Sequence, residues 1–107
     1  MQTTHDALFR TLADPTRRAI FERLCREGEQ SVGALTAAAG VSQPAVSKHL
    51  AALRAAGLAV DRQEGRQTFY SAQVGALAPL VDWTREMEGF WQGRFDALET
   101  LLRRMDQ

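Results

Sequence analysis

Residues 31–57 constrain the fold most, because they must form two short helices that are separated by only a tight turn. Ser31 can cap the first of these helices, which is rich in alanine, and Gly40 can end it and form the turn. Ser42 can cap the second helix, and Gly57 can terminate it. The pattern predicts a helix-turn-helix over about residues 31–57.

The second of these helices has two distinct faces. Apolar side chains recur at the spacing that points them into a core: Val46, Leu50 and Leu53. The opposite face is small and polar: Gln43, Pro44, Ser47, Lys48 and Ala51. Amide, hydroxyl and ammonium groups can bond to DNA base edges and phosphates, whereas a merely solvated face would usually hold more glutamate. The face therefore favours DNA contact, and an ordinary surface helix remains the alternative.

Two further helices are expected before this segment. Thr3 and Asp6 have the spacing of a capping box, which places the start of a helix over about residues 4–13. Asp14 followed by Pro15 combines a capping side chain with the residue that is favoured in the first helical turn. A second helix is therefore predicted from this point.

A hairpin and a long helix are expected after the helix-turn-helix. Two strand-compatible segments separated by a turn at Gly65 predict a two-stranded hairpin, or wing, over about residues 58–72. Pro79 suits the first turn of a last helix over about residues 78–105. The predicted fold is thus mainly α, with four helices, a β-hairpin and a fifth helix in a single domain over residues 1–107.

The distribution of charge along the chain, rather than the net charge, indicates whether the protein can bind DNA. Thirteen basic and thirteen acidic residues cancel, although nucleic-acid-binding proteins usually carry a basic surplus. Residues 42–73 hold four basic and two acidic residues, whereas residues 74–107 hold four basic and six acidic residues. The middle of the chain therefore carries a net positive charge, which favours binding to the phosphates of DNA.

Other classes of protein are disfavoured by what the sequence lacks. Cys25 is the only cysteine, which excludes an internal disulfide and suits a reducing compartment. There is no apolar run of about eighteen residues and no signal-peptide pattern at the N-terminus, so a cytoplasmic protein without membrane contact is expected. Motifs such as HExxH, GxSxG, CxxC and the P-loop are absent, so neither an enzyme nor a cofactor is predicted.

Three segments carry a resemblance to a known family. The sequence from Val41 to Ala59 closely resembles the recognition-helix signature of the ArsR family of winged repressors. The sequence from Leu12 to Ile20 is similar to the opening of that family's second helix, and Gly65-Arg66 followed by Phe69-Tyr70 is similar to its wing. The resemblance implies a homodimeric repressor whose two recognition helices enter successive major grooves of an imperfect palindrome.

By position, the resemblance and the charge pattern predict a set of DNA-binding residues: Ser42, Gln43, Ser47, Lys48, His49, Arg54, Arg62 and Arg66. His49 has a packed or phosphate-bonding role as its alternative. For Arg62 and Arg66 the alternative is a solvated hairpin rim. Arg17 and Arg18 are weaker candidates for phosphate contact, because arginines in a first helical turn are just as often surface charges.

The last helix predicts how a dimer forms. Its apolar stripe is wider than so small a core needs and has heptad-compatible spacing, so dimerisation through the first and last helices is expected. The predicted interface residues are Leu8, Leu80, Met87, Trp91, Leu98, Leu101 and Met105. Gly89 and Gly93 form a GxxxG pattern, which fits either close helix approach or simple tolerance of glycine.

The effector is the least determined property. Metal sensors of the ArsR family place cysteine pairs in helix 3, which here is the alanine-rich helix after Ser31, or near the N-terminus. Others place His, Asp and Glu at the ends of the last helix. Helix 3 here has no cysteine, and the last helix has no histidine. The resemblance is thus to a branch without metal ligands, whose members often repress their own operons. The alternatives are a ligand-responsive repressor, a redox-responsive one using Cys25, and a winged helix that binds protein.

Overall fold

The computed structural model describes residues 4–106. The chain divides into two compact units, Met1–Leu77 and Ala78–Gln107. The predicted cap at Thr3 lies outside the described residues.

The predicted order of five helices with a hairpin before the last is confirmed. The elements are α1 (Thr4–Leu12), α2 (Pro15–Glu27), β1 (Gln30–Ser31), α3 (Val32–Ala39), α4 (Gln43–Ala55), β2 (Ala59–Glu64), β3 (Gln67–Ala72), a short 3₁₀ turn (Val74–Leu77) and α5 (Ala78–Met105).

Three helices begin at the capping residues that the sequence predicts. An Asp14 carboxylate oxygen accepts a hydrogen bond from the Arg17 backbone N–H at 3.0 Å. The hydroxyl oxygens of Ser31 and Ser42 accept the equivalent bonds at 3.1 and 3.3 Å. Each bond satisfies a backbone donor that has no partner inside its own helix. The backbone bond also holds the pKa of Asp14 below its usual value.

The core of the first unit consists of apolar side chains from its helices and from the start of the wing. The buried residues are Leu8, Ile20, Phe21, Leu24, Leu35, Val46, Leu50, Leu53, Leu58 and Ala59. The predicted core face of α4 is confirmed, because Val46, Leu50 and Leu53 are each 0% exposed. Leu8, a predicted interface residue, is only 2% exposed within the single chain, and its contribution to a dimer interface stays a prediction.

A Schellman turn joins α4 to the wing. The Leu58 N–H donates to the Leu53 carbonyl at 2.9 Å, and the Gly57 N–H donates to the Arg54 carbonyl at 3.0 Å. Gly57 has a φ of 78°, which is the left-handed conformation that this motif requires. Gly57 therefore ends α4 as predicted, and it fixes the direction in which the chain leaves the helix.

The sheet has three antiparallel strands in the order β1-β3-β2, where the sequence predicts two. β1 pairs with β3 through Gln30 with Tyr70 and Ser31 with Phe69. A two-residue strand has no periodicity to recognise, which explains why it is missed. Glu64 pairs with Gln67, so the hairpin turn at Gly65 consists of two residues, Gly65 and Arg66.

The second unit is the long helix α5. It has 28 residues, with Pro79 in its first turn as predicted. Many large apolar side chains on it are exposed: Val81, Phe90, Trp91, Phe95, Leu98, Leu101, Leu102 and Met105. Across residues 4–106, no helix combines the length and apolar character needed to span a membrane.

Candidate nucleic-acid interface

The polar face of α4 is exposed along its first two turns. Ser42, Gln43, Ser47 and Lys48 are all exposed, and the capping role of Ser42 uses only its hydroxyl oxygen as an acceptor. Within residues 4–106, the Lys48 side chain has no hydrogen bond or ion pair. Its ammonium group is thus available to a phosphate or a base edge.

The wing tip and this part of α4 line a common groove of about 330 Å³. Gln43 and Ser47 line it from α4, Arg66 and Gln67 line it from the wing, and residues 31–33 at the start of α3 line it as well. Arg66 is exposed and, among the described residues, its side chain has no bonding partner. Three predicted residues from α4 and the wing therefore share one surface. Gln67 was not predicted, although its place directly after the hairpin turn could have indicated it.

Arg62, a predicted phosphate contact, has two acidic partners within the chain. Its Nε and Nη2 donate hydrogen bonds to the two carboxylate oxygens of Glu29 at 2.8 and 2.7 Å, and its Nη1 donates to Glu64 at 3.1 Å. These bonds hold the pKa of Glu29 below its usual value. With two carboxylates beside one guanidinium, the surroundings of Arg62 repel a phosphate. Glu29 has no sequence signal, because its partner lies 33 residues away.

His49 lies between the two roles that the sequence left open. It is half-buried, and its Nδ1 accepts a hydrogen bond from Arg17 Nε at 3.3 Å. With Nδ1 engaged in this bond, Nε2 is the ring nitrogen that is left to meet another group. Arg17 therefore orients a residue of α4, and its role as a DNA contact stays a prediction.

The remaining candidate arginines also have protein partners. Arg17 donates to the Thr11 carbonyl at 3.4 Å and Arg18 to the Leu12 carbonyl at 2.8 Å, so both satisfy acceptors at the end of α1. Arg54 is 62% exposed and lies 3.3 Å from an Asp61 carboxylate oxygen. A single exposed ion pair of this kind is weak, and Arg54 stays a predicted DNA contact.

Two kinds of side chain bear on sensing, namely metal ligands and a redox-active cysteine. Among residues 4–106, no group of three or more His, Cys, Asp and Glu side chains is placed to hold a metal ion. Cys25 is exposed rather than packed, and partial burial raises the pKa of its thiol. A raised pKa leaves less of the reactive thiolate, which is opposite to the environment of most redox-sensing cysteines.

Comparisons with known proteins identify the family. A family model described as a helix-turn-helix domain matches residues 12–62. The chain is 44% identical over 92 residues to the HTH-type transcriptional regulator Rv2034 of Mycobacterium tuberculosis, covering 81% of this chain and 85% of the relative. It is 46% identical over 86 residues to the arsenical resistance operon repressor of Escherichia coli, covering 76% and 74% of the two chains.

A solved structure agrees with these relatives. The ArsR-like transcriptional regulator from Rhodococcus sp. RHA1 superimposes with a TM-score of 0.73 at 32% identity, and the match covers 89% of each chain. The relatives are transcriptional regulators rather than enzymes. The chain therefore belongs to the ArsR family of DNA-binding, winged helix-turn-helix transcriptional regulators.

Proposed function

We propose that this regulator represses transcription as a homodimer that occludes a promoter at an imperfect palindrome. One α4 helix of each protomer enters a major groove, and the two wings lie on the flanking DNA. The observation that carries this proposal is the groove that Gln43 and Ser47 of α4 line together with Arg66 of the wing tip. Repression is supported by the relative in Escherichia coli, which is itself a repressor.

The side chains of α4 and the wing have different proposed roles on DNA, which follow from their chemistry. Gln43 can bond bidentately to adenine and Ser47 to several base edges, so these two residues supply sequence preference. Lys48 and Arg66 supply charge that displaces counterions from the phosphates, which makes affinity depend on salt. Ser42, His49 and Arg54 complete the proposed contact set.

The charge contribution of Lys48 can be measured by fluorescence anisotropy. The probe is a labelled duplex from the region upstream of the regulator's own gene, titrated at several salt concentrations. Lys48→Ala should weaken binding and reduce the slope of log affinity against log salt by roughly one. The matched control is Arg26→Ala, which removes one positive charge from an exposed side chain at the end of α2. Unchanged affinity and slope for Lys48→Ala would contradict the proposed recognition face.

The homodimer is supported by the apolar side chains of α5. Trp91 and Leu98 lie seven residues apart on this helix and are 57% and 50% exposed. Met105, a further seven residues along, is 72% exposed. A seven-residue recurrence of this kind fits a partner helix better than it fits solvent. Leu80, Met87 and Leu101 belong to the same proposed interface.

A charge placed in this interface should prevent association. Trp91→Glu or Leu98→Glu is expected to give a monomer, because a carboxylate would be buried without a partner. Arg85→Glu is the control, since it changes charge at an exposed position outside the apolar stripe. Sedimentation velocity gives the mass directly, and a dimer that survives both substitutions would place the interface elsewhere.

Regulation without a metal effector is part of the proposal. It is supported by the lack of cysteine in α3 and of histidine in α5. Zn²⁺ or arsenite added to the DNA complex should leave the anisotropy unchanged, whereas release of DNA would overturn this part. A winged helix that binds protein is the alternative function, and failure to bind any fragment of the genome would favour it.

A further inference from the structure

One face of the sheet carries a bonded cluster that the DNA contacts do not use. We call it the wing clamp, and it consists of Glu29, Arg62, Glu64, Phe69 and Ser71. The Arg62 guanidinium makes two parallel hydrogen bonds to Glu29 and one to Glu64. Paired bonds between arginine and a carboxylate are stronger and more directional than a single ion pair.

The clamp spans the full width of the sheet. Arg62 lies on the outer strand β2, and the middle strand β3 separates it from β1. The guanidinium carbon lies 4.7 Å from the centre of the Phe69 ring, so it crosses β3 over an aromatic face. From the same middle strand, the Ser71 hydroxyl donates a hydrogen bond at 3.3 Å to Glu29, which lies beyond it.

The far end of the clamp is also the entrance to the helix-turn-helix. Glu29 immediately precedes β1, and the last residue of β1, Ser31, is the cap of α3. β1 contributes only two residue pairs to the sheet, so backbone pairing alone attaches the wing weakly at this edge. The bonds between Glu29 and Arg62 tie the outer strand of the wing to the segment that leads into α3.

We propose that Glu29 and Arg62 are positioning residues that hold the wing tip at the correct place beside α4, without touching DNA themselves. The inference rests on the proposed function in one respect, because the placement of the wing tip is measured through the affinity for DNA. The residue placed by the clamp is Arg66, four positions beyond Arg62, which lines the groove with Gln43 and Ser47.

Removing the negative charge of Glu29 separates this role from simple electrostatics. Electrostatics alone predicts that Glu29→Gln strengthens binding to DNA, because one repelling charge is lost. The clamp predicts the opposite sign, with binding weakened about threefold to fivefold and the salt slope unchanged. Arg62→Gln should weaken binding to the same extent, and the double variant should be no weaker than either single one. Glu22→Gln, on α2, is the matched control for loss of an exposed, ion-paired carboxylate.

A second measurement does not depend on DNA. Amide hydrogen exchange of the free protein should accelerate in residues 59–72 for Glu29→Gln and Arg62→Gln, but not in α2 or for Glu22→Gln. Faster exchange without any change in affinity would overturn the positioning role, as would tighter binding by Glu29→Gln or a salt slope lowered by roughly one for Arg62→Gln alone. If the wild type binds no DNA while the wing exchanges as expected, the proposed function fails and the clamp itself stands.

Discussion

Replacing Gly57 by alanine should destabilise the first unit by a backbone effect alone. Gly57 has a φ of 78°, and a Cβ built on it meets no atom within 4 Å. No clash therefore contributes, and the cost is that of placing an L-residue in the left-handed region, roughly 1–2 kcal/mol. Both hydrogen bonds of the turn can persist, because neither involves the added methyl group.

The same substitution of glycine by alanine in α5 should increase the stability of the protein. Gly89 lies within the helix, its φ is not positive, and a Cβ there also meets nothing within 4 Å. Alanine is the better helix former, so Gly89→Ala should stabilise the protein by roughly 0.5–1 kcal/mol. Gly57→Ala and Gly89→Ala add the same methyl group, so the two variants differ only in the backbone conformation at the substituted residue.

Urea unfolding followed by far-ultraviolet circular dichroism measures both effects. The midpoint should fall for Gly57→Ala and rise for Gly89→Ala, with little change in the dependence on urea. Equal or greater stability for Gly57→Ala would show that the turn does not require a left-handed residue. A loss above about 3 kcal/mol would mean that the methyl group meets a contact the structure lacks.

Two further predictions concern the core and the clamp. Leu50→Ala should lower the free energy of unfolding by about 2–5 kcal/mol, because the side chain is 0% exposed, and urea unfolding checks this against Ala51→Ser on the opposite, exposed face of α4. Since Arg62 lowers the pKa of Glu29 from 4.5, the Glu29 carboxylate stabilises the fold above pH 4.5 and loses this contribution as the pH falls through its lowered pKa. Glu29→Gln should therefore be less stable than the wild type at pH 7, and the difference in the free energy of unfolding should narrow as the pH falls through the lowered pKa of Glu29. A difference independent of pH would contradict this assignment.

The features predicted correctly from the sequence depend on neighbours in the chain. Asp14, Ser31 and Ser42 cap helices because each side chain bonds to a backbone N–H three residues ahead. The core face of α4 follows in the same way from helical spacing. Such interactions are written into a few consecutive residues, so they can be predicted before the tertiary structure is known.

The features that could not be predicted depend on distant parts of the chain. Arg17 meets His49 across 32 residues, and Glu29 meets Arg62 across 33. From the sequence, Arg62 is simply an arginine in a hairpin, and only the pairing of β1 with β3 brings a carboxylate to it. Leu8 illustrates a related limit of sequence patterns, because amphipathic spacing does not distinguish a partner within the chain from one in a second copy.

The register of the hairpin limits how the reach of the wing can evolve. β2 and β3 pair without interruption from Ala59 with Ala72 to Glu64 with Gln67, so the two-residue turn that carries Arg66 has a fixed facing. Lengthening each strand by one residue would turn the tip to the opposite face of the sheet, whereas two residues per strand would restore its facing about 7 Å farther out. Insertions that preserve DNA contact in such wings should accordingly come in multiples of four residues.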